Sequence, residues 1–225
     1  MLIPLSELIE RYRMEISGVV HAGAHTGQEA EAYEKCGIEH VLWIEANPDL
    51  MAPLNEHVYP YGHLTVCACL GAREGEHVIF HLSDSPDGAN QGQSSSVLPL
   101  GTHARVHPEV GYVAERPMVT QTLATLVPQN WPWPANPNFM NLDLQGYELE
   151  CLKGAEPILE RFDWIYTVIN EDPLYEGCAL LPELQRWLAE RKFRLADKRL
   201  AGAQSRDSTT ARWLGWGDAL FMRSR

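Results

Sequence analysis

Short apolar segments alternate with longer amphipathic segments along most of the sequence, and this alternation allows only a few folds. The apolar segments are rich in β-branched and aromatic residues, which is typical of strands buried on both faces of a parallel sheet. A strand, helix, strand order then requires right-handed crossovers, so the sequence predicts a doubly wound α/β fold. The predicted strands span residues 17–23, 40–46, 64–70, 138–144 and 164–170, and the predicted helices span 28–36, 49–57, 147–160 and 182–191.

The C-terminal part of the chain departs from this rhythm. Residues 192–200 and 217–223 are two further strand candidates, and the polar stretch between them has no helical pattern. We expect these two strands to pair as a hairpin. The complete sheet would then be seven-stranded and mostly parallel, with an antiparallel C-terminal strand.

Two more features complete the predicted organisation. Strand candidates at residues 77–84 and 117–123 flank a polar, glycine-rich region, so we expect a long loop insertion at about residues 84–117. Residues 4–15 have the pattern of a short amphipathic helix. A length of 225 residues suits one domain, and we expect residues 1–225 to form a single domain.

The charge of the chain disfavours some partners. Eighteen Lys and Arg side chains against thirty Asp and Glu give a net charge of −12, which repels nucleic acids and anionic membranes. There is no run of eighteen apolar residues, and the N-terminal segment carries charges every few positions. We therefore expect a cytoplasmic protein without nucleic-acid or membrane partners, while homo-oligomer formation stays open.

The segment GAHTG, residues 23–27, follows the first predicted strand and precedes the first predicted helix of the sheet. It therefore lies at the carboxyl edge, where open α/β sheets bind ligands. Gly23 and Gly27 let a ligand approach the backbone, and free N–H groups at the helix start favour a negatively charged ligand group. We expect His25 to contact the ligand, although a role as a turn-filling side chain is equally compatible with the pattern.

Glu45 ends the second predicted strand, about twenty residues beyond the glycine turn. A carboxylate there can accept hydrogen bonds from both hydroxyls of an adenosine ribose. Nicotinamide dinucleotides and S-adenosylmethionine both carry such a ribose, so the turn and Glu45 alone leave both cofactors open.

The segment NFMNLDLQGYELECLKGAEPILE, residues 138–160, resembles the signature of the FkbM-type family of S-adenosylmethionine-dependent methyltransferases. The resemblance extends from His21 to Met222 and is most specific in DLQGYE and LKGA. Two positions differ from the common family pattern: His21 stands where an acidic residue is more frequent, and His25 stands where Asn is frequent.

The resemblance implies a class I methyltransferase fold, which is Rossmann-like, and a single S-adenosylmethionine as cofactor. It also implies O-methylation of a hydroxyl group on a sugar, a glycan or a natural-product small molecule. The residues it places at the cofactor are His21, Gly23, Ala24, His25, Gly27, Glu45, Ala46, Asn47, Cys69, Leu70, Ser95, Ser96, Asp143 and Gln145.

Carboxylates cluster at the ends of the fourth and fifth predicted strands. Asp143 ends the fourth strand, and Glu171 and Asp172 follow the fifth, so we expect them at one crevice. Oxygen ligands of this kind suit Mg²⁺, which would lower the pKa of an acceptor hydroxyl. The alternative is that Asp143 acts without metal as the general base and Glu171 contacts the substrate.

Two other functions remain open from the sequence. A NAD-dependent oxidoreductase could use the same turn and Glu45, although GAHTG lacks the third glycine of the GxGxxG pattern. A cofactor-binding module without catalytic activity is the second alternative.

Overall fold

The computed structural model describes residues 1–201 and 215–224, and its central feature is a seven-stranded sheet. The strands lie in the order β3-β2-β1-β7-β8-β10-β9. All pairs from β3 to β8 are parallel, and β10 is antiparallel to both of its neighbours. The strands of this sheet are β1 (Val19–Ala22), β2 (Val41–Glu45), β3 (Leu64–Cys67), β7 (Phe139–Leu142), β8 (Trp164–Asn170), β9 (Phe193–Leu200) and β10 (Trp216–Arg223).

This sheet confirms the predicted fold class, including the C-terminal hairpin of β9 and β10. Every residue of β1, β2 and β7 is buried, as expected for strands covered on both faces. Alternate residues of β1 enter two different apolar clusters: Val20 and Ala22 lie in one, and Val19 lies in the other. The core therefore consists of two layers, one on each face of the sheet.

Helices cover both faces of the central sheet. They are α1 (Leu5–Tyr12), α2 (Ala30–Lys35), α3 (Met51–Val58), α4 (His103–Val106), α5 (Leu123–Asn130), α6 (Glu148–Ala155) and α7 (Leu181–Glu190). Short 3₁₀ turns at Pro48–Leu50 and Glu156–Arg161 take up parts of two predicted helices. No helix among the described residues is long and apolar enough to cross a membrane.

Helix α5 was not predicted. Its segment, LATLVPQN, contains two β-branched residues and Pro128, which lower its helical propensity. Thr122 caps the helix by accepting a hydrogen bond from the Thr125 amide, and Leu123, Leu126 and Val127 are buried. Burial in the tertiary structure therefore makes this segment helical, although its sequence has only a weak helical pattern.

The predicted long loop at residues 84–117 is partly wrong. Strand β5 spans His77–Asp84 as expected, but its partner β6 spans Gly111–Gln121 and begins inside the predicted loop. The third apolar run also splits, because β4 (Cys69–Leu70) leaves the central sheet and pairs with β6. The result is a small sheet in the order β4-β6-β5, which stands beside the carboxyl edge of the central sheet.

The sequence did not show the start of β6, because Tyr112, Val113 and Ala114 follow one another without a polar residue between them, so no alternation marks a strand. In the structure Val113, Ala114 and Glu115 are all exposed. The stretch between β9 and β10, for which no helix was predicted, lies outside the described residues.

Candidate active site

A cavity of about 780 Å³ lies at the carboxyl edge of the central sheet, where the sequence placed the ligand site. Its walls come from the ends of β1, β2, β7 and β8, and from the small sheet and its loops. Ten residues predicted at the cofactor line this cavity: His21, Gly23, His25, Glu45, Ala46, Cys69, Leu70, Ser95, Asp143 and Gln145.

The glycine turn is fixed against the end of β7. Gly23 has a φ of +81°, and its N–H donates to the Ile44 carbonyl at 2.9 Å. A Cβ atom on Gly23 would lie 1.8 Å from the carbonyl oxygen of Asp143. Because Gly23 has no side chain, the ends of β1 and β7 can lie in direct contact. This is a second reason for glycine here, in addition to the ligand access that the sequence suggested.

Glu45 connects the two turns that follow β1 and β2. Its Oε2 accepts the backbone N–H of His25 at 2.7 Å, and its Oε1 accepts the backbone N–H of Asn47 at 2.7 Å. Burial raises the pKa of Glu45, and these two hydrogen bonds oppose that rise. Each carboxylate oxygen keeps a lone pair for a ligand hydroxyl, so Glu45 is a rigidly oriented acceptor in the cavity wall.

Four residues predicted at the cofactor do not line the cavity. Ala24 is buried, and a Cβ on Gly27 would lie 2.7 Å from Val58, so Gly27 allows α3 to pack closely. The Asn47 side chain accepts the Asp49 amide and caps the next helical turn. Ser96 Oγ donates to the Gln145 carbonyl at 2.8 Å. These four residues pack behind the residues that line the cavity.

His25 links the glycine turn to the insertion. It has a φ of +47°, in the left-handed region that few residues with a side chain adopt readily. Its Nε2 lies 2.8 Å from the Gln91 carbonyl, and its Nδ1 lies 3.0 Å from Gln28 Nε2. Both ring nitrogens therefore have protein partners, and the ring closes one side of the cavity.

The serine cluster belongs to a tightly bonded loop rather than an open one. Ser83 Oγ donates a hydrogen bond to Asn90 Oδ1 at 2.6 Å and accepts one from the Ser94 amide at 3.0 Å. Ser95 Oγ accepts the Ser83 amide at 3.0 Å. These bonds hold Ser94 and Ser95 against the cavity.

The DLQGYE signature forms the turn after β7, and its acidic residue holds that turn together. Glu148 is buried, and its Oε1 accepts the amides of Leu144 at 3.0 Å and Gly146 at 3.1 Å. Burial raises the pKa of Glu148 to about 7. Glu148 therefore fixes the backbone on both sides of Gln145.

Asp143 is the central carboxylate of this turn. Asp143 is exposed in the open cavity, yet partial exclusion of water by the surrounding protein, followed by the charges of Glu148 and Asp218, raises its pKa to about 7. Gln145, at a φ of +52°, donates from Nε2 to Asp143 Oδ1 at 2.5 Å, and Tyr175 donates to Gln145 Oε1 at 2.6 Å. The structure thus holds a titratable acid in one orientation on the cavity wall.

The LKGA part of the signature is a packing element. A Cβ on Gly154 would lie 2.1 Å from the Gly71 carbonyl oxygen, so Gly154 allows α6 to lie directly on the chain that leaves β4. Lys153 pairs with Glu150 at 2.6 Å on the partly exposed side of α6. Lys153 is thus part of a solvated helix surface.

The predicted grouping of Asp143 with Glu171 and Asp172 is wrong. Glu171 pairs with Lys198 of β9 at 2.6 Å, and Asp172 accepts the Gly215 amide at 3.1 Å. Neither side chain lines the cavity, because the backbone after β8 bonds to Gly215 and directs them towards the C-terminal hairpin. Among residues 1–201 and 215–224, no group of three acidic, His or Cys side chains is placed to hold a metal ion.

His21, in strand β1, belongs to a buried polar network. The ring of His21 stacks on Trp43, and its Nδ1 accepts from the Tyr33 hydroxyl at 3.0 Å. The Tyr33 hydroxyl in turn accepts from Asn141 Nδ2 at 2.9 Å. Burial lowers the pKa of His21 to about 4, so this histidine is neutral at physiological pH.

Sequence reasoning missed two carboxylates in the same cavity, Glu29 and Asp218. Asp218 accepts the Tyr166 hydroxyl and the Leu2 amide, and burial raises its pKa. A signal for Asp218 existed, because an acid inside the apolar segment GDALFM is unusual for a buried strand. Glu29 had no such signal, since acids are common in a first helical turn.

The cavity is strongly acidic. Its lining includes six carboxylates, of which Glu29 pairs with the N-terminal ammonium of Met1 at 3.2 Å, and, among the described residues, no Lys or Arg. The six are Glu29, Glu45, Asp87, Glu109, Asp143 and Asp218. Such a wall attracts cationic groups and repels phosphates.

The fold is that of class I methyltransferases, as comparison with solved structures shows. Magnesium protoporphyrin IX methyltransferase from Synechocystis PCC 6803, solved with bound S-adenosylmethionine, has a TM-score of 0.53 over 97% of this chain and 76% of that chain, at 11% identity. A S-adenosylmethionine-dependent methyltransferase from Clostridium acetobutylicum has a TM-score of 0.52 over 98% of this chain and 89% of that chain, at 7% identity. At these identities the likeness concerns the fold alone.

The family model described as the methyltransferase FkbM domain matches residues 21–195. The chain therefore belongs to the FkbM family and is a S-adenosylmethionine-dependent methyltransferase. No curated protein matches the sequence. The glycine turn and Glu45 are compatible with both S-adenosylmethionine and NAD. Membership of the FkbM family favours S-adenosylmethionine.

Proposed function

We propose that this protein transfers a methyl group from S-adenosylmethionine to a hydroxyl oxygen of an uncharged sugar, glycan or hydroxylated natural product. The observation that carries this proposal is the pair formed by Glu45 and Asp143. One is an oriented carboxylate suited to a ribose, and the other is a carboxylic acid with a pKa near 7, and both line one cavity. The first serves cofactor binding and the second serves proton removal.

The residues of the cavity fit S-adenosylmethionine. Glu45 would hold the ribose hydroxyls, because both of its oxygens are fixed by backbone amides. The acidic lining suits a cofactor that carries an ammonium and a sulfonium group. A cavity of about 780 Å³ is also within the range of ligand sites of about 300–1,000 Å³, and it accommodates a small acceptor beside the cofactor.

Bound S-adenosylmethionine supplies an electrophilic methyl group on a sulfonium. The protein must then position the acceptor oxygen and take its proton. Asp143 is suited to this role, since a pKa near 7 gives a useful fraction of base at physiological pH. Gln145 directs Asp143 through Oδ1 and leaves Oδ2 for the acceptor hydroxyl. Tyr175 fixes Gln145 in turn.

The charge of the cavity favours an uncharged acceptor. Phosphorylated compounds and nucleic acids would meet six carboxylates and, among the described lining residues, no Lys or Arg. Neutral hydrogen-bonding groups, including Asn170, Tyr147 and His103, are available on the same walls. Hydroxyl-rich molecules match such groups. A small-molecule or glycan acceptor handled in the cytoplasm is therefore the partner that we propose.

The proposal needs no Mg²⁺, because Glu171 and Asp172 are bonded away from Asp143. Metal-free turnover should therefore survive exhaustive chelation by EDTA. A loss of activity that Mg²⁺ restores would instead favour the metal-assisted mechanism.

The test is methyl transfer from labelled S-adenosylmethionine to a panel of neutral mono- and oligosaccharides, phosphorylated sugars and RNA. We expect label in neutral hydroxyl compounds, and a fall in kcat of about 10²- to 10⁴-fold in D143N. The matched control is D163N, because Asp163 lies on the surface and contacts Asn138. Transfer only to RNA or phosphorylated compounds would contradict the proposal. Full activity of D143N would exclude Asp143 as the base, and a folded protein with no transfer at all would favour a non-catalytic role.

A further inference from the structure

Residues 85–95, which follow β5 and are called the cavity loop here, lie against the cavity. Eight of these eleven residues line it: Ser85, Asp87, Ala89, Asn90, Gly92, Gln93, Ser94 and Ser95. Hydrogen bonds at its base hold the loop together. Asp84 Oδ1 accepts the amides of Ser85 at 2.8 Å and Gln91 at 3.1 Å, and the Asn90 amide donates to Ser85 Oγ at 3.0 Å. The loop therefore keeps its shape, and its contacts with the rest of the chain determine whether it covers the cavity.

His25 joins the cavity loop to the turn after β1. Its Nε2 lies 2.8 Å from the Gln91 carbonyl oxygen, and because a carbonyl only accepts, Nε2 carries the hydrogen. Its Nδ1 is then the acceptor for Gln28 Nε2 at 3.0 Å, so both contacts require the same tautomer. The backbone amide of His25 donates to Glu45 Oε2 at 2.7 Å. One residue therefore connects the loop to the carboxylate that is suited to a ribose.

The cavity loop also reaches the turn after β2. A Cβ atom on Gly92 would lie 3.9 Å from Asn47 Nδ2. The amides that Glu45 accepts are those of His25 and Asn47, so the loop meets the same two residues that hold the Glu45 carboxylate. A ligand bound to Glu45 would thus lie between the two turns and beneath the loop.

The backbone of the cavity loop is strained at the contact with His25. Gln91 has a φ of +49°, a conformation that costs free energy in a residue with a side chain and persists only where other contacts hold it. Gly88 and Gly92 have φ values of +69° and +86°, and glycine changes its backbone conformation readily. Release of the His25 contact would therefore allow the loop to move away from the cavity.

We propose that the cavity loop is a lid that closes over bound S-adenosylmethionine, and that His25 is the latch that keeps it closed. A closed lid slows the escape of the cofactor and excludes water from the reacting groups. His25 is a positioning residue in this reaction, because it acts on the cofactor through the loop. The inference concerns cofactor retention, and it depends neither on the acceptor nor on Asp143 as the base.

The first experiment measures the release of S-adenosylhomocysteine from the full chain by surface plasmon resonance. Asn tolerates the φ of +47° at position 25, but its amide group lies near the position of Nδ1 and does not reach Gln91. We expect H25N to release the ligand about three- to tenfold faster than the wild type, as for one lost hydrogen bond. The amide group of Gln lies near the position of Nε2, so H25Q should restore most of the retention.

The matched control is H57A. His57 lies on α3, and its Nδ1 is 2.8 Å from the carbonyl oxygen of Thr26 in the same glycine turn. The contact of His57 is with the turn and not with the cavity loop, so H57A should release S-adenosylhomocysteine at the wild-type rate.

Hydrogen exchange of residues 85–95 separates a latch from a direct contact between the His25 ring and the cofactor. Amide exchange reports local opening, so S-adenosylhomocysteine should slow the exchange of this segment in the wild type. H25N should exchange the segment about three- to tenfold faster than the wild type, with and without the ligand. H25Q should exchange it at a rate close to that of the wild type.

Equal release rates in H25N and the wild type, or loop exchange that S-adenosylhomocysteine does not slow, would overturn the lid. Faster release from H25N with unchanged loop exchange would overturn the latch and assign the His25 ring to the cofactor itself. These measurements need no acceptor, so each of these results leaves the proposed acceptor class and the role of Asp143 intact.

Discussion

Gly23 packs directly against the backbone of Asp143, with room for no atom between its Cα and the Asp143 carbonyl oxygen. This contact joins the turn after β1, where we propose that the cofactor binds, to the end of β7, where we propose that the acceptor binds. The distance between the two sides is therefore set by backbone contact. Methyl transfer requires such fixed spacing, since small misplacements of reacting groups are costly.

Replacement of Gly23 by Ala should be severely destabilising. The added Cβ would meet the Asp143 carbonyl oxygen at 1.8 Å, and the φ of +81° is strained for any residue with a side chain. We expect a loss of about 3 kcal/mol or more in the free energy of unfolding, together with loss of S-adenosylhomocysteine binding. G37A is the matched control, since Gly37 has a φ of +70° but nothing within 4 Å of an added Cβ. If both variants lose the same stability in urea titrations, the contact with Asp143 has no special importance.

Replacement of Glu45 by Gln should weaken cofactor binding. Both oxygens of Glu45 accept hydrogen bonds from backbone N–H groups. In Gln one of these oxygens becomes an NH₂ group, which cannot accept a hydrogen bond, so the side chain would lose its fixed orientation. We expect the Kd for S-adenosylhomocysteine to rise by about 10- to 100-fold, as for lost hydrogen bonds to a charged group. The control is E31Q, because Glu31 is exposed on α2 and pairs with Lys35. Unchanged calorimetric affinity in E45Q would remove Glu45 from the cofactor site.

The pH dependence of turnover should report the coupled titration of Asp143 and Glu148, since both carboxyl groups have a pKa of about 7. Because Asp143 must be ionised to take a proton and its pKa is about 7, kcat/KM should rise with pH up to about 7 and then level off. The charge of Glu148 contributes to this pKa, so E148Q should move the acidic limb of the profile to lower pH. E150Q is the control on the same helix, since Glu150 faces Lys153. An acidic limb that stays in place in E148Q would mean that another group controls the rate.

Replacement of Asp143 by Asn should stabilise the protein at alkaline pH. The folded-state pKa of about 7 lies above the ordinary value of 3.8, so the folded state binds the proton more tightly than the unfolded state. This contribution is fully present below about pH 4 and is lost as the pH rises through about 7. D143N lacks this titration, so its unfolding free energy relative to the wild type should rise between pH 4 and pH 8; because Asp143 is exposed to the open cavity, solvent screening limits the expected rise to about 1 kcal/mol. A constant difference across this range would show that the folded state does not raise the pKa of Asp143.

The sequence predicts those elements that depend on local pattern. Buried strands such as β8 and the C-terminal hairpin follow from apolar runs, and the glycine turn and Glu45 follow from their positions at strand ends. The family signature locates Asp143 and Gln145. These features need no information about distant parts of the chain.

The sequence does not predict those features whose position depends on a tertiary contact. Glu171 directly follows Asn170, the last residue of β8, but its backbone bonds to Gly215, and an ion pair with Lys198 holds the side chain away from the cavity. Gly27 looks like a ligand turn and is instead a packing position for α3. Both errors come from partners that are far away in sequence, which no local pattern contains.

Replacement of Tyr175 by Phe should lower turnover without weakening cofactor binding. The Tyr175 hydroxyl donates to Gln145 Oε1, and Gln145 donates to Asp143, so the lost hydroxyl frees Gln145 to rotate. A less firmly held Asp143 should lower kcat by about tenfold, while the Kd for S-adenosylhomocysteine stays within about twofold. Y12F is the control, because the Tyr12 hydroxyl bonds to the Ala196 carbonyl far from the cavity. Equal kcat values for Y175F and the wild type would show that Gln145 holds Asp143 without help. A raised Kd with unchanged kcat would place Tyr175 on the cofactor side of the cavity.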